Sequence, residues 1–269
     1  MILYVYIIIS ALITALWGTL GGMFTEAYGW WATPLSLVVG TLALILLHGI
    51  LLVIMVAAVN LDKPPRDTKL FRIVISGFLH LVFKLARIEM HITGLEKVPE
   101  GERFLLVCNH LHNLDPAPIL YALGKYDLAF IAKREVRELY PFVYRALHKM
   151  NGLPIDRDND REGAKTIINA VKLIKNDKNS VAVFPEGFVS LTGELLPFRN
   201  GAFKVATKNE AKIVVCTLKG TKGIPKNMFR RHHDVYFDIL AVIDTKGNTH
   251  TAELGEQIHA IMNENLKKD

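Results

Sequence analysis

Charged side chains are almost absent from the first sixty residues, where Glu26 and His48 are the only acidic, basic or imidazole groups. Residues 2–24 and residues 30–59 form two long apolar runs. At about 1.5 Å per residue, each run can cross a hydrocarbon core of about 30 Å as a helix. A cleaved signal peptide is the alternative for the first run, but no basic segment precedes the run, which is also longer than a typical signal core. Residues 1–60 are therefore predicted to contain two transmembrane helices.

Lysine and arginine are also missing between the two runs, and they appear only after the second. Lys63, Arg66, Lys69 and Arg72 follow it closely. Basic residues gather on the cytoplasmic side of membrane helices, so this cluster predicts a multi-pass membrane protein with a cytoplasmic main domain. All 32 basic residues lie beyond position 60 with 25 of the 26 acidic ones, an excess of +7 (32 minus 25) that favours contact with membrane lipids. No aromatic-basic pattern accompanies this charge, so no nucleic-acid partner is expected.

Cysteine is scarce, and its two occurrences, Cys108 and Cys216, lie in apolar runs. Thiols in the cytoplasm stay reduced, so no disulfide is expected. The sequence also lacks a Gly-x-Ser-x-Gly motif, which argues against a serine nucleophile on a strand-to-helix turn.

Residues 61–92 form a basic juxtamembrane segment with an apolar middle. Residues 73–83 are interrupted only by Ser76, Gly77 and His80. Eleven residues are too few to cross a bilayer, so this stretch predicts an amphipathic helix lying in the membrane interface. A helix buried in the core of the protein is the alternative.

Residues 93–269 alternate between short apolar runs and segments with helical spacing. Strand-like runs occur at 104–108, 128–132, 181–184, 213–218 and 235–242. Helical spacing occurs at 116–123, 136–148, 161–174, 202–208 and 251–266. This alternation predicts an α/β fold, a layered sheet with flanking helices, preceded by an N-terminal transmembrane helical hairpin. In such sheets the chemistry gathers where loops leave the carboxyl ends of strands.

The loop after the first strand-like run combines an imidazole with a carboxylate. Residues 109–116 read Asn-His-Leu-His-Asn-Leu-Asp-Pro, and residues 184–187 after a later run read Phe-Pro-Glu-Gly. A histidine whose ring is oriented by a nearby carboxylate can take a proton from a hydroxyl near neutral pH. His110 and Asp115 are therefore candidate catalytic residues for acyl transfer. Asp115 also predicts a helix N-cap with Pro116 in the first turn, a role compatible with catalysis.

Two further blocks complete an ordered pattern within residues 90–245. The four blocks are Asn-His-x4-Asp at 109–115, Ala-Lys-Arg-Glu at 132–135 with Gly-Leu-Pro-Ile-Asp-Arg at 152–157, Phe-Pro-Glu-Gly-Phe-Val-Ser at 184–190, and Pro-Phe-Arg-Asn-Gly-Ala-Phe-Lys at 197–204. In this order they resemble the 1-acyl-sn-glycerol-3-phosphate (lysophosphatidate) acyltransferase family of glycerolipid acyltransferases. The resemblance implies a glycerolipid acyltransferase-like fold.

The resemblance also implies a reaction, in which a fatty acyl group passes from acyl-CoA or acyl carrier protein to the free hydroxyl of 1-acyl-sn-glycerol 3-phosphate, giving phosphatidate in phospholipid biosynthesis. His110 would be the general base and Asp115 its orienting group, without an acyl-enzyme. The implied substrate-binding residues are Lys133, Arg157, Glu186, Gly187 and Arg199. The three cations would hold the acceptor phosphate or form solvated salt bridges. Glu186 would hydrogen-bond the acceptor or shape its loop. The backbone amides around Glu186 and Gly187 are candidates to stabilise the oxyanion, or Gly187 forms only a turn. The acyl thioester is a co-substrate, and no cofactor is expected.

The third block departs from the family pattern Phe-Pro-Glu-Gly-Thr-Arg-Ser at two positions. Phe188 replaces the threonine and Val189 replaces the arginine. Valine cannot grip a phosphate through paired charge-assisted hydrogen bonds. The identity of the acyl acceptor is therefore open, and another lysophospholipid is the alternative to lysophosphatidate. A non-catalytic, membrane-tethered lipid-binding module is the second alternative.

Other histidines suggest different sites. His110, His112 and Asp115 resemble part of the His-x-His-x-Asp-His run of binuclear metallohydrolases, but the aspartate is one position late and the next histidine is missing. We therefore expect no metal and interpret His112 as a loop residue. His232 and His233 follow two arginines and predict a solvated basic surface or a lipid-headgroup contact.

Overall fold

Two long apolar helices open the chain. The computed structural model describes residues 2–26, 28–156 and 158–268. Helix α1 spans Ile2–Leu20 and helix α2 spans Gly29–Ala57, both long and apolar enough to cross a membrane. Large side chains such as Trp17 and Leu46 face outward and are 73% and 64% exposed. So much exposed apolar surface is unfavourable in water, and it suits the pair to membrane association.

Polar contacts hold this hairpin together and fix it to the next helix. Ser10 Oγ donates to the Leu37 carbonyl at 3.0 Å, and a Cβ atom at Gly40 would overlap the Ser10 side chain. His48 accepts a hydrogen bond from the Tyr6 hydroxyl at Nδ1 and donates from Nε2 to the Val74 carbonyl at 2.8 Å. Small residues thus allow close approach of α1 and α2, and a histidine links both to the following segment.

Helix α3, Lys69–Leu85, joins the hairpin to the sheet domain. The Thr68 hydroxyl caps its N-terminus by accepting from the Phe71 amide, and Phe71 itself is fully buried. The Arg72 guanidinium is also buried and donates to Asp67 and to the carbonyl of Leu128. One face of α3 therefore belongs to the core, as the alternative interpretation held. Its contact with a membrane interface stays a prediction.

Seven strands form one mixed sheet in the order β1-β7-β6-β2-β5-β3-β4. The strands are β1 Ile88–Thr93, β2 Leu105–Val107, β3 Leu128–Lys133, β4 Leu153–Ile155, β5 Ser180–Val183, β6 Ile213–Lys219 and β7 His233–Ile243. Strands β2 to β6 are parallel, whereas β7 runs antiparallel to β6 and parallel to β1. The sheet therefore includes β1, which the predicted boundary at residue 93 had left in the juxtamembrane segment.

Helices cover both faces of the sheet. They are α4 Pro116–Leu123, α5 Val136–Leu139, α6 Pro141–Lys149, α7 Asp160–Lys175, α8 Lys204–Thr207, α9 Ile224–Asn227 and α10 Thr251–Leu266. Successive strand residues point to opposite faces, so Leu106 packs with α3 and α4 while Leu105 and Val107 pack with α7, α8 and α10. All three side chains are fully buried. Burial on both faces explains why the central strands read as continuous apolar runs.

Two helices differ from the prediction. The helix expected over residues 136–148 is interrupted at Tyr140, whose φ of −140° and ψ of 66° lie outside the helical region. Proline disfavours helical geometry in the residue before it, so Pro141 ends α5 and begins α6. The helix expected over residues 202–208 is a 3₁₀ turn, Asn200–Phe203, followed by the short α8.

Candidate active site

Three loops meet at the carboxyl edge of the sheet, where β2, β5 and β3 are neighbours. His110 follows β2, Glu186 follows β5, and Lys133 ends β3. The His110 amide donates to Glu186 Oε1 at 2.7 Å, which joins two of these loops directly. The parallel arrangement thus brings together residues that are far apart in the sequence.

His110 and Asp115 form a hydrogen-bonded pair. His110 Nδ1 lies 2.8 Å from Asp115 Oδ2, and the carboxylate is completely buried. The same oxygen accepts from the amides of Leu111 at 2.6 Å and His112 at 2.8 Å, and Oδ1 accepts from the Thr221 hydroxyl at 2.7 Å. A carboxylate surrounded by donors requires the histidine proton at Nδ1, which leaves the Nε2 lone pair available as a base.

The Asp115 side chain does not serve as the predicted N-cap. The residue has helical φ and ψ of −54° and −31°, and among the described residues its carboxylate makes no capping bond to α4. The side chain is instead turned back toward His110 and the amides that precede the helix. Pro116 occupies the first turn as expected. The carboxylate cannot reach both sets of amides, so its role as orienting group replaces the cap.

Stacking on an aromatic side chain also restricts the orientation of the His110 ring. The ring lies on Phe184 with centroids 4.2 Å apart and planes 12° apart. His110 and Phe184 both line a cavity of about 380 Å³ that also contacts Lys133, Val189 and Leu139. The imidazole is thus held by a hydrogen bond on one edge and an aromatic face, at the wall of a cavity of ligand size.

Glu186 joins two loops rather than lining this cavity. Its carboxylate is buried and accepts from the His110 amide through Oε1 and from the Leu196 amide through Oε2, the latter at 2.8 Å. Burial raises the pKa of Glu186, and the hydrogen bonds from Leu196 and His110 act in the opposite direction. Both oxygens are committed to backbone amides, which favours the loop-shaping alternative over contact with the acceptor.

Asn109 performs a similar task on the other side of β2. Its buried amide group donates to the Leu218 carbonyl at 3.0 Å and accepts from the Leu218 amide at 2.7 Å. The side chain thereby ties the segment after β2 to β6, directly before His110. Sequence reasoning gave Asn109 no role, although its position immediately after a strand was a usable signal.

The predicted cations do not all lie in one place. Lys133 lines the His110 cavity, half exposed, and pairs with Glu135 at 2.8 Å. Arg199 lines a neighbouring groove instead, and its amide donates to the Pro185 carbonyl at 2.8 Å. That bond folds the chain back beside the turn after β5 and places Arg199 on a different cavity from Lys133. Arg157 lies outside the described residues.

Gly187 also belongs to the neighbouring groove. Its φ of 76° is in the left-handed region, and its amide donates to the Phe184 carbonyl at 3.1 Å. An amide engaged in a turn is less available to an oxyanion, which favours the turn alternative for this residue. Val189, by contrast, lines the His110 cavity, where the resemblance would place an arginine.

His112 and His232 lie in two separate parts of the structure. His112 Nδ1 accepts from the Leu114 amide at 3.1 Å, within its own loop. In the described part of the chain, the group spaced to hold a cation is Glu89, His232 and Asp234, all exposed. These residues lie at the β1–β7 edge of the sheet, with His232 and Asp234 joined by a 3.3 Å contact.

Comparisons with known proteins agree with this geometry. The model of the family described as Acyltransferase matches residues 89–219. The 1-acyl-sn-glycerol-3-phosphate acyltransferase of Borreliella burgdorferi is 28% identical over 162 residues, 60% of this chain and 64% of that protein. A probable enzyme of the same name from Mycoplasma pneumoniae is 32% identical over 168 residues, 60% of each chain. The chain thus spans slightly less than two thirds of the length of these relatives.

A solved structure shares the fold. The crystal structure of the 1-acyl-sn-glycerophosphate acyltransferase PlsC from Thermotoga maritima superposes with a TM-score of 0.60 at 19% identity, covering 96% of this chain and 95% of that one. The likeness includes the N-terminal helices as well as the sheet. Residues 89–219 are thus similar to the acyltransferase family, the relatives are 1-acyl-sn-glycerol-3-phosphate acyltransferases, and the chain shares the fold of the PlsC structure.

Proposed function

We propose that the protein transfers a fatty acyl group from a thioester, acyl-CoA or acyl carrier protein, to the free hydroxyl of 1-acyl-sn-glycerol 3-phosphate. The product would be phosphatidate. The observation that carries this proposal is the His110–Asp115 pair, with its 2.8 Å hydrogen bond, at the wall of a cavity that also contains Lys133. The names of the relatives support the choice of acceptor.

In the proposed reaction, His110 Nε2 removes the proton of the acceptor hydroxyl as its oxygen attacks the thioester carbonyl. A C–O bond forms, the C–S bond breaks, and the imidazolium returns the proton to the departing thiolate. Asp115 stabilises the imidazolium through Nδ1–H and keeps the ring in place. General-base action accounts for about two to four decades of rate, and holding the two substrates together supplies much of the remainder.

A lipid acceptor would reach this cavity from the bilayer. Helix α6 is attached to the end of α2, because Arg145 Nη1 donates to the carbonyls of Ala57 at 3.2 Å and Val59 at 2.7 Å. Val143 of the same helix lines the His110 cavity, and neighbouring Phe142 is 43% exposed. With α2 as a membrane span that ends on the cytoplasmic side, the cavity would lie close to the cytoplasmic leaflet, where its acceptor resides.

Val189 favours a second candidate acceptor. The valine contributes apolar surface to the cavity at a position where an arginine fork would grip a phosphate monoester. Lys133 is a point charge already paired with Glu135, so it discriminates less sharply between headgroups. We therefore expect acylation of lysophosphatidate together with detectable acylation of other lysophospholipids.

The test uses purified full-length protein with labelled acyl-CoA and a panel of lysolipids. Labelled phosphatidate as the main product supports the proposal, and a diester product formed faster would select the second acceptor. Binding of lysolipids without formation of any acylated product would instead identify a non-catalytic lipid-binding module.

A further inference from the structure

A second cavity, which we call the α7 groove, adjoins the His110 cavity and has no part in the scheme above. It has a volume of about 530 Å³ and is lined by residues that include Ala164 and Ile167 of α7, Val183 of β5, Gly187, Arg199 and Lys204. This size is within the range of small-molecule sites. Most of the lining is apolar or small, and its charged residues are Asp156, Asp160, Arg199 and Lys204.

The α7 groove and the His110 cavity share a wall. Ile131 and Phe184 line both, and Phe184 stacks on the His110 ring with centroids 4.2 Å apart. A ligand in the α7 groove that contacts Phe184 is therefore separated from the proposed base by one aromatic ring. Such an arrangement suits a long substrate whose reactive group lies at one end.

Two cationic side chains, Arg199 and Lys204, line the α7 groove. Arg199 and Lys204 are both exposed, and in the described ranges neither forms an ion pair with a carboxylate. The Arg199 guanidinium lies 5.5 Å from the centre of the Phe188 ring, which holds it beside the turn at Gly187. An arginine fork with a lysine nearby matches a phosphate group. Asp156 and Asp160 also line the α7 groove, and a phosphate placed next to them would be repelled.

The position of the α7 groove separates it from the route proposed for the lipid. The His110 cavity is bounded by α6, which packs on the membrane helix α2, whereas α7 packs on β4, β5 and α8. A water-soluble substrate therefore has access from the α7 side while the acceptor occupies the membrane side. Direct acyl transfer needs both substrates bound at once, and the two cavities meet this requirement.

We propose that the α7 groove binds the phosphopantetheine arm of the acyl thioester donor, with its phosphate at Arg199 and Lys204 and its thioester at Phe184, beside His110. This assignment rests on the proposed function. The arm is the part that CoA and acyl carrier protein have in common, so the same contacts would serve both donors. Its amides and methyl groups suit a lining that is mainly apolar.

The kinetic test measures Michaelis constants for both substrates in Arg199→Ala and Lys204→Ala. We expect each variant to raise KM for acyl-CoA by about tenfold, the loss of one charge-assisted phosphate contact, and to change KM for lysophosphatidate less than about twofold. Lys208→Ala is the matched control, since Lys208 is exposed one turn further along and does not line the α7 groove. An unchanged donor KM, or a raised KM for lysophosphatidate alone, would overturn the assignment.

Two donor analogues show which part of the donor is held. An acyl-pantetheine thioester without the phosphate should be a poorer donor than acyl-CoA for the wild type, and Arg199→Ala should reduce that difference. The same variant should raise KM for acyl carrier protein as well. An effect confined to acyl-CoA would mean that the cations bind its nucleotide portion, which contradicts binding of the arm.

A binding measurement makes the assignment independent of turnover. Calorimetry with free CoA on a His110→Ala background should show binding that Ala164→Phe weakens by about tenfold, because the added ring fills the α7 groove, while Ala164→Ser retains it. Absence of CoA binding to the His110→Ala protein would reject the α7 groove even if the wild type transfers acyl groups. CoA binding of this kind without any acyl transfer would reject only the proposed function.

Discussion

Thr221 offers the sharpest test of how the catalytic pair is held. Its hydroxyl donates to Asp115 Oδ1 at 2.7 Å, and both side chains are completely buried. Thr221→Val keeps the shape but leaves that oxygen without its donor. A hydrogen bond to a buried charged group contributes about 1.5 to 3 kcal/mol. At about 2 to 4 °C per kcal/mol, the melting temperature should fall by about 3 to 12 °C.

Activity should change less than stability, because Asp115 Oδ2 keeps its bonds to His110 and to the amides of Leu111 and His112. We expect kcat to fall by no more than about tenfold, which is about 1.4 kcal/mol of barrier.

The assays for Thr221 are thermal unfolding in detergent and kcat at saturating substrate. Thr221→Ser is the control, since it keeps the hydroxyl and should resemble the wild type in both. If Thr221→Val has the same melting temperature as Thr221→Ser, the hydroxyl does not support Asp115.

The remaining predictions concern selectivity, pH dependence and topology. Val189→Arg should raise the kcat/KM ratio for lysophosphatidate over a diester lysophospholipid by about tenfold through a new phosphate fork, and an unchanged ratio would remove position 189 from acceptor recognition. Lys133→Ala should raise KM for lysophosphatidate, whereas an unaltered KM would show that the phosphate binds elsewhere. Because burial raises the pKa of Glu186, the folded state still binds a proton at pH values where the unfolded state has released it. The stability of the wild type relative to Glu186→Gln should therefore fall as pH rises above 4.5, the ordinary pKa of this group. An increase of this relative stability with pH would contradict the prediction. A cysteine at Thr25 should react with an impermeant thiol reagent outside intact cells and one at Asn248 should not, and the reverse pattern would refute the orientation.

Much of the fold follows from the sequence because its strongest signals are local. The charge-free runs predicted α1 and α2, and the apolar runs predicted five of the seven strands. Strands β1 and β4 were not predicted. β4 has three residues with Pro154 at its centre, and β1 carries polar residues such as Glu89 and His91 at the sheet edge. Edge strands are half exposed and lack the apolar run that marks a buried one.

The candidate site was predictable only in part for a related reason. His110 and Asp115 are five positions apart, and their pairing could be inferred from the motif. The supports of that pair come from distant segments: Phe184 stacks on the ring, and Thr221 reaches the carboxylate across 106 positions. Arg199 resembled a ligand of the acceptor phosphate in sequence, but the fold of the loop before it determines which cavity it lines.

If His110, held by Asp115, is the base of an acyl transfer, then removing its imidazole must slow the reaction. Wild type and His110→Ala are purified in the same detergent and supplied with labelled acyl-CoA and lysophosphatidate, and labelled phosphatidate is measured over time. We expect product from the wild type and a rate lower by two or more decades, roughly the general-base share, in the variant, with the same melting temperature. Equal rates in the two proteins, or no product from the wild type, would contradict this expectation.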